Sequence, residues 1–164
     1  MNTDKHFIEI VYDLARLSVK EGGDPFSAIL VYGNEICYKS LDISVKSPNP
    51  TLHAELNVIS EYCSKNKKFS LDGYTLYCNV EPCIMCSGAI HWSRISKVVF
   101  GISQQSLQKI SLGKIKPKCE DLINIGYKKI EIIGPVLEEK GIEIFKEFPL
   151  KKKEERHFEI HGKN

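Results

Sequence analysis

The chain has 164 residues, of which 42% are hydrophobic and 27% charged, with a formal net charge of +2. That length suits one domain with a buried core, and the composition is that of an ordinary globular protein. No apolar run approaches the length of a bilayer span, and the start, MNTDKHFIEI, lacks the basic-then-apolar layout of a signal peptide, so a cytoplasmic protein is expected.

Asp4–Glu21 carries Phe7, Ile10, Val11, Leu14 and Leu17 at helical spacing and stops at Gly22-Gly23. Phe26–Tyr32 (FSAILVY) reads as a buried strand, Gly33-Asn34 as a turn and Glu35–Ile43 as the returning strand of a hairpin. After the rigid SPNP loop at Ser47–Pro50, Thr51 is a helix N-cap or lies just before one, and Leu52–Cys63 continues as a helix. The polar loop Ser64–Ser70 leads to a strand at Tyr74–Asn79. Pro82 suits a first helical position, which predicts a helix over Pro82–Trp92. Lys97–Gly101 is the next strand, Pro117–Ile125 a helix ending at Gly126, Lys129–Ile133 a short strand and Val136–Phe148 a helix. Alternating elements after an initial hairpin predict an α/β fold with a mixed sheet covered by helices. One domain is expected over residues 1–150, with 151–164 a charged tail or short helix.

Six cysteines stand at 37, 63, 78, 83, 86 and 119. Without a sign of secretion they read as reduced core residues, metal ligands or nucleophiles. Cys83 and Cys86 open a predicted helix, where positions three apart share a face and free N–H groups favour thiolates. His53 and Glu55 open another. Two thiolates and an imidazole suit zinc, and three protein ligands leave its fourth position for a water whose pKa the metal lowers toward neutrality. Glu55, two residues from His53, is placed to move that water's proton. A thioredoxin-like redox pair is the rival reading of Cys83 and Cys86, but it leaves His53-Ala54-Glu55 unexplained. A structural zinc site needs a fourth protein ligand. Cys78 is the cysteine within reach, and a core role suits it better.

Together His53-Ala54-Glu55 and Pro82-Cys83-Ile84-Met85-Cys86 form the H-x-E…P-C-x-x-C pattern of zinc deaminases. With GGDPFSAILV, NPTLHAEL, LDGYTLYCNVEPCIMCSGAI and SRISKVVFG, the chain resembles the cytidine and deoxycytidylate deaminase superfamily from Phe7 to about Gly101. The branch is that of tRNA adenosine deaminases, guanine deaminases and fungal-type cytosine deaminases. The resemblance implies a three-layer α/β/α fold, with a five-stranded mixed sheet between helices, usually assembled as a homodimer. It implies one zinc per chain on His53, Cys83 and Cys86, with Glu55 as proton shuttle in a hydrolytic deamination that releases ammonia.

The substrate is less legible. The resemblance places Phe26 against the ring, the Ala54 N–H on a ring carbonyl or nitrogen, and a carbonyl near Glu81 on the leaving amino group. Glu81 itself reads as a structural or rim residue. Asp42 stands where the family usually has Asn. An ionised Asp offers only acceptors and suits a ring that presents N–H groups, unless Asp42 merely caps a turn. Gly88–Arg94 (GAIHWSR) is similar to a guanine and guanosine deaminase pattern, in which His91 and Trp92 line the pocket or a dimer contact. A guanine-like nucleobase or nucleoside is therefore the expected partner. The basic run Lys151–Lys153 and the Lys67–Lys68 pair read as solvated faces, so tRNA is the alternative, as is cytosine.

Overall fold

A computed structural model describes residues 3–111, 117–126 and 129–162. The elements in chain order are α1 (Thr3–Lys20), β1 (Ser27–Tyr32), β2 (Glu35–Leu41), α2 (Ala54–Asn66), β3 (Tyr74–Val80), α3 (Ile84–Ser93), β4 (Lys97–Ile102), α4 (Gln104–Ile110), α5 (Cys119–Ile123), β5 (Glu131–Ile133), α6 (Glu138–Glu147) and α7 (Lys153–His161). The sheet order is β2-β1-β3-β4-β5. β1 runs antiparallel to both neighbours, whereas β3, β4 and β5 are parallel, as the mixed-sheet expectation requires.

Alternation of side chains across the sheet makes two cores. Ala28, Leu30, Leu76, Cys78, Val98 and Phe100 face the layer holding α2, α3 and α5. Ile29, Val31, Tyr77 and Val99 face the layer holding α1 and α6. A strand buried on both faces needs a continuous apolar run, and the AILV stretch of β1 supplies one.

Local chemistry sets the breaks. At the end of α1 the Gly22 N–H donates to Val19 O (2.9 Å) and the Gly23 N–H to Ser18 O (2.8 Å), a Schellman stop that places Gly22 at φ +84°. β2 ends two residues before its expected limit of Ile43. The chain turns there, with the Asp42 N–H donating to Phe26 O (3.0 Å) and the Ser44 N–H to Asp42 Oδ1 (2.9 Å). Pro82 lies outside α3, because Cys83 has extended backbone (φ −73°, ψ 173°) and is itself the N-cap. The expected charged tail contains α7, which folds back on the domain; residues 163 and 164 lie outside the described residues. No helix of the described residues is long and apolar enough to cross a membrane.

Candidate active site

Two helix starts meet beside the C-terminal end of β3. His53 is the N-cap of α2 (φ −70°, ψ 152°) and Cys83 the N-cap of α3. An N-cap side chain ordinarily turns back onto the first-turn amides of its own helix. Neither does so here. The imidazole and the thiol face each other instead, with His53 Nδ1 3.6 Å from Cys83 Sγ and 3.7 Å from Cys86 Sγ. Cys86, one turn into α3 and fully buried, brings its sulfur to the same side.

The three ligand atoms lie within 4.8 Å of one another and are the one such group of three among the described residues. Donors about 2.0–2.3 Å from a shared tetrahedral centre stand roughly 3.5–3.8 Å apart, and the two His–Cys separations fall in that interval. One nitrogen and two sulfurs are a zinc donor set, and the geometry fits the ion.

Without the metal, the Cys86 thiol, followed by His53, pulls the Cys83 thiol down to about 3, while the bond to Cys83 and burial push Cys86 far up. The pair thus holds a thiolate at Cys83 and a proton at Cys86. Burial lowers His53, but its bond to Cys83 and the charge of Glu55 outweigh that and raise it. Burial lifts Glu55 to about 7 against the opposing pull of its own amide and His53. A carboxyl held near neutrality can both take and give a proton at working pH.

A cavity of about 470 Å³ opens over this cluster, with His53, Glu55 and Cys83 in its lining. Phe26 and Asp42 line it; Phe26 also packs on Phe145 with ring centroids 5.5 Å apart. Asp42 closes a turn as well, since its Oδ1 accepts from the Ser44 N–H and from Ser44 Oγ (2.5 Å). Ala54 is buried as the first residue of α2, where its N–H has no acceptor within the helix. Glu81 reaches the cavity wall, but its carboxylate accepts from the backbone amides of Gln104 (2.9 Å) and Cys119 (2.8 Å). Trp92 stands outside this chain's own cavity, which leaves the dimer-contact alternative. It is 80% exposed and absent from the lining, because nine helical residues carry it roughly 14 Å along α3 from Cys83.

Two parts of the wall go beyond the sequence reading. One is α4, which lines the cavity with Gln104, Leu107 and Gln108, followed by Ser111. Its signal is Ser103, an N-cap residue whose Oγ accepts from the Ser106 N–H (3.1 Å). The other is the run from Leu150 to Lys152 with Glu154, where the chain enters α7. Arg156 anchors that helix across the rim: its Nε is 3.4 Å from Asp24 Oδ1 and its Nη2 donates to Gly22 O (2.9 Å).

Comparison with known proteins places the same residues in a wider setting. The family described as the cytidine and deoxycytidylate deaminase zinc-binding region matches residues 1–102. The tRNA-specific adenosine deaminase of Buchnera aphidicola subsp. Baizongia pistaciae is 40% identical over 137 residues, covering 84% of this chain and 82% of that protein. The probable cytosine deaminase of Schizosaccharomyces pombe is 35% identical over 127 residues, covering 74% and 77%. A solved structure of guanine deaminase from Nitrosomonas europaea superposes with a TM-score of 0.74 at 21% identity, covering 85% of this chain and 81% of that one, a likeness of fold.

Proposed function

The chain belongs to the cytidine and deoxycytidylate deaminase family, and from that membership we propose that this zinc-type nucleobase or nucleoside deaminase acts on a purine amino group, with adenosine in tRNA as the first reading. His53, Cys83 and Cys86 hold the zinc. The ion supplies electrophilic assistance and a water that ionises near neutral pH. Glu55 carries the two protons of the attacking water in turn, the first to a ring nitrogen as the C–O bond forms and the second to the departing amino nitrogen. Water adds at the amino-bearing ring carbon, the exocyclic C–N bond breaks, ammonia leaves and a carbonyl remains. Phe26 packs on the ring, and the Ala54 N–H donates to a ring acceptor. Burial of the carboxyl beside the His–Cys–Cys cluster is the observation that carries the chemistry.

The relative at 40% identity over most of both chains supports the tRNA reading over the guanine-like base expected from the sequence. A free guanine-type base is the second reading. It is favoured by Asp42, which lines the cavity and as an acceptor suits a ring edge rich in N–H groups. An anticodon stem-loop with adenosine at the wobble position, guanine, guanosine and cytosine, each incubated with zinc-loaded protein, separate the two. Inosine in the stem-loop by mass spectrometry is the expected result. Xanthine from guanine with an unchanged stem-loop replaces the first reading by the second, and no product from any of the four removes both.

A further inference from the structure

Glu81 sits two residues before the ligand Cys83 and is 5% exposed. All of its polar groups are engaged by the protein. Its N–H donates to Ile102 O (2.7 Å), and its carbonyl accepts from Gln104 Nε2 (2.6 Å). Oε2 accepts from the Gln104 N–H (2.9 Å) and Oε1 from the Cys119 N–H (2.8 Å). Gln104 is the first residue of α4 and Cys119 the first of α5. One carboxylate therefore holds the opening amides of two helices against the start of the metal-ligand helix. Glu138 of α6 grips the same corner from the other side: its Oε1 accepts from the Ser103 N–H (3.0 Å) and from Ser103 Oγ (2.8 Å).

The helix held in this way turns one face to the cavity. Gln104, Leu107 and Gln108 stand at i, i+3 and i+4, with Ser111 at i+7 just past the helix end. Two carboxamides flanking an isobutyl group offer donors, acceptors and an apolar contact to a flat heterocycle. We propose that Glu81 is a positioning residue for substrate binding: it docks α4 and α5 onto the metal-ligand helix, so that the α4 face, and not the Glu81 carboxylate, meets the substrate. The substrate side of this inference rests on the deaminase reading of the same cavity.

The carboxamide of Glu81→Gln sets an N–H donor against one of the two backbone donors, removing one bond and opposing like partners. Zinc-loaded full-length Glu81→Gln and Glu138→Gln are compared with the wild type for zinc content, amide hydrogen exchange and steady-state kinetics on an accepted substrate. Zinc is expected to stay at about one per chain in both variants. Exchange across 104–110 and 119–123 is expected to rise about tenfold in Glu81→Gln, and across 104–110 alone in Glu138→Gln. KM is expected to rise about tenfold in Glu81→Gln, and in the same direction in Glu138→Gln, with kcat within about threefold. A kcat loss of about a hundredfold or more at unchanged KM overturns the proposal, because it makes Glu81 a direct participant. Unchanged exchange and KM also overturn it. Should Glu81→Gln lose its fold, Glu138→Gln with Gln108→Ala decides: elevated KM in both supports the α4 wall, and wild-type KM in both refutes it. A wild-type chain inactive on every substrate removes the deaminase reading, while the exchange measurement still decides whether Glu81 docks the two helices.

Discussion

In the proposed reaction Glu55 is the residue that moves the protons. It lies two positions from the ligand His53, buried at the bottom of the cavity. Glu55→Gln keeps the shape and leaves the ligand set whole. It is expected to retain its zinc while ammonia release falls by about 10²–10⁴-fold, measured by a coupled ammonia assay on an accepted substrate. Burial holds the Glu55 carboxyl at about 7 in the metal-free chain, and a neighbouring divalent cation favours the carboxylate and lowers it. Because the ionised form does the work, kcat/KM is lost as pH falls, through an acid limb with an apparent pKa no higher than about 7. At Cys83 the thiol is drawn down to about 3, whereas Cys86 keeps its proton. In metal-free protein iodoacetamide is therefore expected to label Cys83 ahead of Cys86, at a rate nearly flat across neutral pH, as peptide mass mapping shows; zinc abolishes the labelling. Asp42→Asn adds a donor at the cavity wall and is expected to shift preference among bases; an equal effect on every substrate removes Asp42 from base recognition.

At the scale of elements, the site is a meeting of two helix starts with two walls laid over it. The starts are legible in the sequence because metal chemistry demands particular residue types at particular spacings: His53 and Glu55 two apart, Cys83 and Cys86 three apart after Pro82. The walls are not legible in that way. α4 has seven residues with apolar side chains at Leu107 and Ile110, too short a run for a helical period to stand out. Its place depends on carboxylates 23 and 35 residues away in sequence, a relation that spacing does not reveal. α7 reads as a charged tail because its docking rests on polar side chains, Arg156 on Asp24 and Gly22 and His161 on Val45 O (2.9 Å), rather than on an apolar stripe. Arg156→Ala is expected to free α7, with faster amide exchange over 153–161 and a higher KM, since Leu150, Lys151, Lys152 and Glu154 leave the cavity wall with it. Unchanged exchange there shows that other contacts hold the helix.

Over the whole molecule, the mixed sheet is legible because β1 and the Gly33-Asn34 turn announce a hairpin and the later strands alternate with helices. The place of Trp92 is legible only in part. Periodicity places it on α3, but tertiary packing decides which face of α3 meets the cavity, and Trp92 lies with Ile84 on the outer side, 80% and 68% exposed. An exposed Trp92 suits the dimer-contact alternative of the sequence reading. Sedimentation is expected to give a dimer for the wild type and a shift toward monomer for Trp92→Glu; a wild-type monomer rules the dimer out. The zinc joins helices on separate parts of the chain, so its removal by chelation is expected to lower Tm as well as abolish turnover. The account rests on His53, Cys83 and Cys86 holding one ion at which Glu55 works, and elemental analysis of purified wild type, Cys83→Ser and Glu55→Gln tests that most directly. It is expected to find about one zinc per chain in the wild type and Glu55→Gln, and a near-complete loss in Cys83→Ser. A wild type without zinc, or Cys83→Ser that keeps it in full, would contradict the account.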